Sequence, residues 1–177
     1  MDLGHVGLHV RDFEGMLAFY QRVLGFVISD IKRAEGRSIV FFTSRPDTHH
    51  QFVLASGREA NDTSKVINQI SFRVENIAEL KRIGAAIKRE SLEDVAIITH
   101  GTAWSIYFRD PEGNRMEVFV DTPWYIDQPF RAPINLDLPE EELRRWTEEL
   151  CRAQPGFQSI EEWQRKLIER YQLASKP

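Results

Sequence analysis

At 177 residues, with 42% apolar and 28% charged residues, the chain suits one globular domain with room for an appendage, and it is long enough to bury a core. A net charge of −4, with no basic block and no basic patch interleaved with aromatics, argues against non-specific nucleic-acid binding. The single Cys151 excludes an intramolecular disulfide and any multi-cysteine metal site. The opening MDLGHVGL lacks a secretory pattern and no apolar run nears the about 18 residues of a membrane span, so a cytosolic protein is expected.

Taken in order, Leu3 to Val10 alternates, with Val6, Leu8 and Val10 on one face and His5, Gly7 and His9 on the other: a half-buried strand. Asp12 can cap the helix that follows, whose Phe13, Met16, Leu17, Tyr20, Val23 and Leu24 recur at helical spacing, and Gly25 suits its C-terminal stop. Strand-like runs come next at Phe26–Ile31, Ser38–Thr43 and His50–Ala55, then a polar linker over residues 56–65. At residues 67–74 the pattern restarts, with Ile70, Phe72 and Val74 facing one way and Gln69, Ser71 and Arg73 the other. Asn76 to Glu79 reads as a capping box, and Leu80, Ile83, Ala86 and Ile87 stripe the helix after it.

HVGLHVRD near the start overlays QISFRVEN in this second half without a gap, so that His5 falls on Gln69 and Asp12 on Asn76. Such an internal repeat outranks local propensity in deciding a fold. The expectation is an α+β protein: two tandem βαβββ modules, residues 1–56 and 66–122, forming a cup-shaped mixed sheet over residues 1–122.

The second module ends in WSIYFRDPEGNRMEVFV, which reads as strand, turn and strand over Trp104–Val120. Glu117 is the polar exception among Met116, Val118 and Phe119. A carboxylate there is costly to desolvate unless a cation or donor meets it, which points to a metal or to acid–base work; the bland reading is a Glu on the wet face of an edge strand. Beyond it, residues 121–139 carry four prolines and read as irregular chain across the surface. Asp137 with Pro139 opens a helix bearing Leu143, Trp146 and Leu150 on one side, and Ser159 to Glu162 caps another carrying Trp163, Leu167, Ile168 and Tyr171. These apolar faces need cover, from the cup domain or from a neighbouring subunit, so residues 123–177 form a C-terminal helical extension.

GHVGLHVRD with FYQRVLGF near the start, and YFRDPEGNRMEVF in the second half, resemble the vicinal oxygen chelate superfamily of glyoxalases, fosfomycin and bleomycin resistance proteins and extradiol dioxygenases. The second motif is most similar to the one-domain type I extradiol enzymes. The resemblance implies a divalent metal in the cup, held by the first strand of each half and a Glu on the last; position by position these are His5, Gln69 and Glu117. Fe(II) or Mn(II) is the favoured ion, with Ni, Co, Zn or Mg as alternatives. Gln69 departs from the extradiol pattern, which has His there. An amide oxygen is a harder, weaker donor than imidazole and favours an oxygen-loving ion; a Gln ligand also resembles glyoxalase-type members. Gln69 as a plain polar residue of the cup is the alternative.

His49 and His50 resemble the His pair opening the fourth strand of the extradiol enzymes, where the second is a general acid–base; parity would set His50 on the face of Phe52 and Leu54. A solvated His pair is the alternative. His100 and Tyr107 resemble the His and Tyr that hydrogen-bond a substrate hydroxyl, against a half-buried sheet aromatic at Tyr107. His9 shares the face of His5 as a contact of the cup or a satisfied, non-catalytic ring, and Arg73 holds the matching place for an anionic ligand or a carboxylate neighbour. Together the resemblance implies a metal-dependent oxidoreductase, a dioxygenase cleaving catechol-type aromatics such as biphenyl-2,3-diol, acting on a small aromatic or vicinal-oxygen substrate as a homo-oligomer. The alternatives are a glyoxalase-like lyase or isomerase, and a non-catalytic aromatic- or drug-binding resistance protein.

Overall fold

The computed structural model describes residues 2–64 and 66–174; Lys65 of the expected linker and residues 175–177 of the extension lie outside the described residues. Aliphatic Val6, Leu8 and Val10 alternating with Gly7 and His9 make β1 (Val6–Val10), and Asp12 then stops the strand by capping α1 (Phe13–Leu24), its Oδ1 accepting the Gly15 amide at 2.9 Å. Gly25 ends the helix in the left-handed region at φ 75°, its amide returning to the carbonyls of Tyr20 and Gln21. Three strands follow: β2 (Val27–Ala34), β3 (Arg37–Thr43) and β4 (Phe52–Ser56). The second half repeats the order with β5 (Ile70–Arg73), α2 (Ile77–Arg89), β6 (Ala96–Thr99), β7 (Ala103–Arg109) and β8 (Arg115–Asp121). Asn76 Oδ1 caps α2 through the Glu79 amide at 2.9 Å, while the Glu79 carboxylate reaches back one residue further than expected, to the Glu75 amide. The chain is therefore α+β, with the expected pair of βαβββ modules and a helical extension.

Each module has its own mixed sheet. The first runs β1-β4-β3-β2, with β1 and β4 parallel and the other pairs antiparallel. The second runs β6-β7-β8-β5 with one extra strand at its β6 edge. By its internal contacts the chain divides into two compact units, Met1–Ile70 with Ala85–Glu93 and Arg109–Arg115, and Ser71–Gly84 with Asp94–Phe108 and Met116–Pro177.

In the first unit α1 lays Met16, Phe19, Tyr20 and Val23 on the sheet, where Tyr20, Phe26, Phe42 and Phe52 form an aromatic core with ring centroids 4.7 to 6.5 Å apart. The Tyr20 hydroxyl cannot stay unpaired in that core. It donates to Asp110 Oδ2 at 2.8 Å, in the turn between β7 and β8, and burial pushes the Asp110 carboxyl above its usual range.

In the second unit the chain after β8 is less irregular than its prolines suggest. It forms β9 (Trp124–Tyr125) and β10 (Ala132–Pro133), and Pro133, which has no N–H, is tolerated because β10 is the edge strand on β6. Helix α3 (Glu140–Arg152) opens at Pro139, and it buries Leu143, Thr147 and Cys151 instead of Trp146. The physical reason is polar: buried Trp104 needs an acceptor for its Nε1–H and takes Thr147 Oγ1 at 2.9 Å, which turns Trp146 outward. After β11 (Gln158–Ser159), which pairs with β9, Ser159 caps α4 (Ile160–Ala174) as expected. Of its apolar stripe only Trp163 is covered, stacked on Tyr125 at 5.1 Å; Leu167, Ile168 and Tyr171 remain exposed. Among the described residues no helix is long and apolar enough to cross a membrane.

Removing the hydroxyl of Tyr20 leaves Asp110 buried with one donor fewer. Tyr20→Phe is expected to lower stability by about 1–3 kcal/mol without changing the fold, read as a lower urea midpoint with an unchanged slope.

Candidate functional site

The candidate residues fall into two clusters, one in each unit. In the first unit His5, just ahead of β1, and His50, just ahead of β4, lie with ring centroids 4.4 Å apart. β1 and β4 are parallel neighbours, with Val6 opposite Phe52, so the residues entering both strands meet at one edge of the sheet. His50 does not share the face of Phe52 and Leu54. Those two are fully buried with the aromatic core, whereas the half-buried His50 ring meets Phe41 at 5.1 Å and His49 at 5.0 Å. The chain bends at Gln51, whose amide pairs with the Phe42 carbonyl at 2.8 Å, and the bend breaks the two-residue alternation that parity assumes. Gln69 is half-buried just ahead of β5. His9 is exposed, its Nδ1 3.4 Å from the Ser56 carbonyl, which fits a satisfied surface ring.

Loss of solvent, helped by the neighbouring His5 and His49, holds the His50 imidazole below its ordinary range. His50 is thereby kept neutral, with a lone pair to offer, near neutral pH. His49 passes one nitrogen to His50, Nδ1 to Nδ1 at 2.7 Å, and the other to Asp30 Oδ2 at 2.8 Å.

In the second unit Glu117 is 6% exposed on β8, so it does not face bulk solvent. Its Oε2 accepts the Ser71 hydroxyl at 2.6 Å, and its Oε1 lies 4.0 Å from His100 Nε2. His100 Nδ1 is 2.7 Å from the Phe130 carbonyl. A carbonyl only accepts, so Nδ1 carries the proton, and Nε2 of the neutral ring accepts the Tyr107 hydroxyl at 3.0 Å. Two hydrogen-bonded pairs, Tyr107 with His100 and Ser71 with Glu117, thus stand side by side, 4.0 Å apart at His100 Nε2 and Glu117 Oε1. Arg73 has the carboxylate neighbour: it pairs with Asp121 at 3.1 Å and lies over the Phe119 ring.

The expected metal set is shared out by unit, His5 and Gln69 in the first and Glu117 in the second. Its donor chemistry, one imidazole, one amide oxygen and one carboxylate, fits a divalent cation. Among the described residues no three His, Cys, Asp or Glu side chains form a metal-holding group; the expected set has an amide in place of one of these. Three participants escaped the sequence reading. Ser71 was on the right face but carried no distinguishing signal, the Phe130 carbonyl has none at the residue level, and Asp30 is placed by a bulge that parity cannot foresee.

A family model described as Glyoxalase/Bleomycin resistance protein/Dioxygenase superfamily matches residues 2–118. The biphenyl-2,3-diol 1,2-dioxygenase 2 of Rhodococcus globerulus is 26% identical over 121 residues, 66% of this chain; the chain matches only 61% of the length of that relative. Among solved structures, a glyoxylase/bleomycin resistance protein/dioxygenase domain from Frankia sp. EAN1pec has a TM-score of 0.58 at 19% identity, covering 69% of this chain and 98% of that one. The fosfomycin resistance protein FosX of Listeria monocytogenes, complexed with Mn(II) and sulfate, has a TM-score of 0.54 at 20% identity over 68% of this chain and 93% of its own. At these identities the structural likeness speaks for the fold alone.

The lowered His50 value has a stability consequence in the metal-free protein. Above about pH 6.5 the ring is neutral folded or unfolded and contributes nothing; as pH falls through that value the unfolded chain takes the proton more readily, and the fold loses stability. Urea midpoints measured between about pH 5 and 8 should therefore decline less steeply on the acid side for His50→Gln than for the unsubstituted protein.

Proposed function

Because the chain belongs to the glyoxalase/bleomycin resistance protein/dioxygenase superfamily, matched over residues 2–118, we propose that it is a metal-dependent enzyme of the extradiol ring-cleaving type, acting on catechol-like aromatic diols. The observation that carries this reading is the buried Glu117 on β8 with His100 and Tyr107 beside it: a carboxylate out of water, next to a Tyr hydroxyl hydrogen-bonded to a His ring. The 26% identical biphenyl-2,3-diol dioxygenase supports the substrate class.

In this proposal His5, Gln69 and Glu117 hold a divalent cation, Fe(II) or Mn(II). When bound, the cation lowers the cost of deprotonating a diol oxygen and holds reactants close. The chain's own groups do the rest. His50, neutral at working pH, takes a hydroxyl proton from the substrate and returns one later. Tyr107 keeps oxygen lone pairs free while its hydroxyl donates to His100 Nε2, so it can accept from a substrate hydroxyl and fix its orientation. Ser71 holds the Glu117 carboxylate in one rotamer.

Gln69 favours a second reading, a glyoxalase-like lyase or isomerase in which dioxygen takes no part, since an amide donor suits a harder ion than Fe(II). Binding without turnover, as in a resistance protein, is the third outcome. Self-association belongs to the same proposal, supported by the exposed Leu167, Ile168 and Tyr171 of α4. The lone Cys151, fully buried with its thiol pushed up to about 11 by desolvation, suits a reducing, cytosolic setting.

Metal analysis of the fresh protein should find a divalent ion, lost on Glu117→Ala. Reconstitution with Fe(II) and 2,3-dihydroxybiphenyl, then air, should give a yellow ring-fission product, which His50→Gln slows by about 10²–10⁴-fold with metal retained. Metal without colour transfers the assignment to lyase or isomerase chemistry, and tight diol binding with neither metal nor colour to sequestration. Gln69→His should raise iron retention; no gain removes Gln69 from the ligand set.

A further inference from the structure

Strand β2 does not pair evenly with β3. Ile28 lies opposite Phe42 and Asp30 opposite Phe41, so Ser29 is an extra residue, and its hydroxyl ties the bulge by donating to the Phe41 carbonyl at 3.1 Å. A bulge of this kind re-aims the side chain that follows it. It puts Asp30 in one row with Phe41 and Val53 across the sheet, on the side where Phe41 meets His49 at 5.9 Å and His50 at 5.1 Å. Asp30 Oδ2 then lies 2.8 Å from His49 Nε2, and His49 Nδ1 lies 2.7 Å from His50 Nδ1.

Protons can be assigned along this chain. A carboxylate has only lone pairs, so the Asp30–His49 contact requires the proton on His49 Nε2. A neutral His49 then has a bare Nδ1, and the 2.7 Å contact requires His50 to supply the proton from its own Nδ1. His50 is left with a bare Nε2, the opposite of the Nε2–H form that dominates in free histidine. We infer that Asp30 and His49 are positioning residues: acting through His49, Asp30 fixes the tautomer of His50 so that Nε2 is the atom able to accept a proton. The arrangement follows the general rule that the bond made by one ring nitrogen decides the state of the other. Asp30 touches neither substrate nor metal in this account. Its catalytic meaning rests on the proposed role of His50, but the tautomer itself does not.

The test is a long-range ¹H–¹⁵N correlation spectrum of the histidine-labelled, metal-free protein at about pH 8, above the ordinary imidazole value. It needs neither metal nor substrate. The expected spectrum places His50 in the Nδ1–H tautomer, with Nε2 at the position of an unprotonated nitrogen. Asp30→Ala and His49→Phe should each move it to the Nε2–H form or to a mixture, while Asp30→Asn, which keeps an acceptor oxygen, should hold more of the original. The Asp30 side chain is 68% exposed, so its variants should fold, and the amide spectrum reports whether they have. A His50 found as Nε2–H in the unsubstituted protein, with His49 doubly protonated, overturns the inference, as does an unchanged His50 in Asp30→Ala. If the tautomer responds as stated and no diol is turned over, the functional reading falls and the positioning stands.

Discussion

A carboxylate buried at Asp110 accepts four hydrogen bonds, from the Tyr20 hydroxyl, the Asn114 side-chain amide and the backbone amides of Glu112 and Asn114, all between 2.8 and 3.0 Å. Unmet, such a group would be among the costliest features a core can contain. Met on all sides, it fixes the turn between β7 and β8 and anchors α1 to that turn through the aromatic core. The same turn presents Glu112, whose carboxylate takes the amides of Arg11 and Asp12 at the start of α1 and pairs with Arg58. Strand β8 leaves the turn at exposed Arg115, and Met116, Glu117 and Val118 are buried in succession, which puts Glu117 inside. Register in this part of the molecule is set by polar satisfaction as much as by apolar pattern.

The two histidine clusters follow one design. In each, a ring nitrogen is committed to a group that can only accept: Asp30 for His49, the Phe130 carbonyl for His100. The remaining nitrogen is thereby turned toward another titratable or hydroxylic partner, His50 in one case and Tyr107 in the other. Proton donors and acceptors within each cluster are thereby sorted by the fold itself, which is what pre-organisation means.

Much of this could be read from the residues alone. Asp12, Gly25, Asn76 and Ser159 cap or stop helices as their chemistry dictates, and the ungapped repeat gave both modules because side-chain period and cap position recur together. Glu117 could be singled out because a charge in an apolar run needs a reason. What escaped depended on local departures from regular pattern or on partners far away in sequence. Ser29 shifts the register of β2, a bend at Gln51 turns His50 off the face of Phe52, and the need of Trp104 for an acceptor rotates α3 toward Thr147 and away from Trp146. None of these leaves a periodic signal.

The turn Arg109–Arg115 belongs by sequence to the second repeat, yet by contact it is part of the first unit. Anyone exchanging halves between relatives would therefore choose the wrong crossover by cutting at the polar linker alone. A transplanted first half needs this seven-residue segment delivered with it, because Tyr20, Arg11 and Arg58 all find their counter-groups there. The duplication visible in the letters has become, in the folded chain, an unequal arrangement in which the first copy does not own all of its own interior.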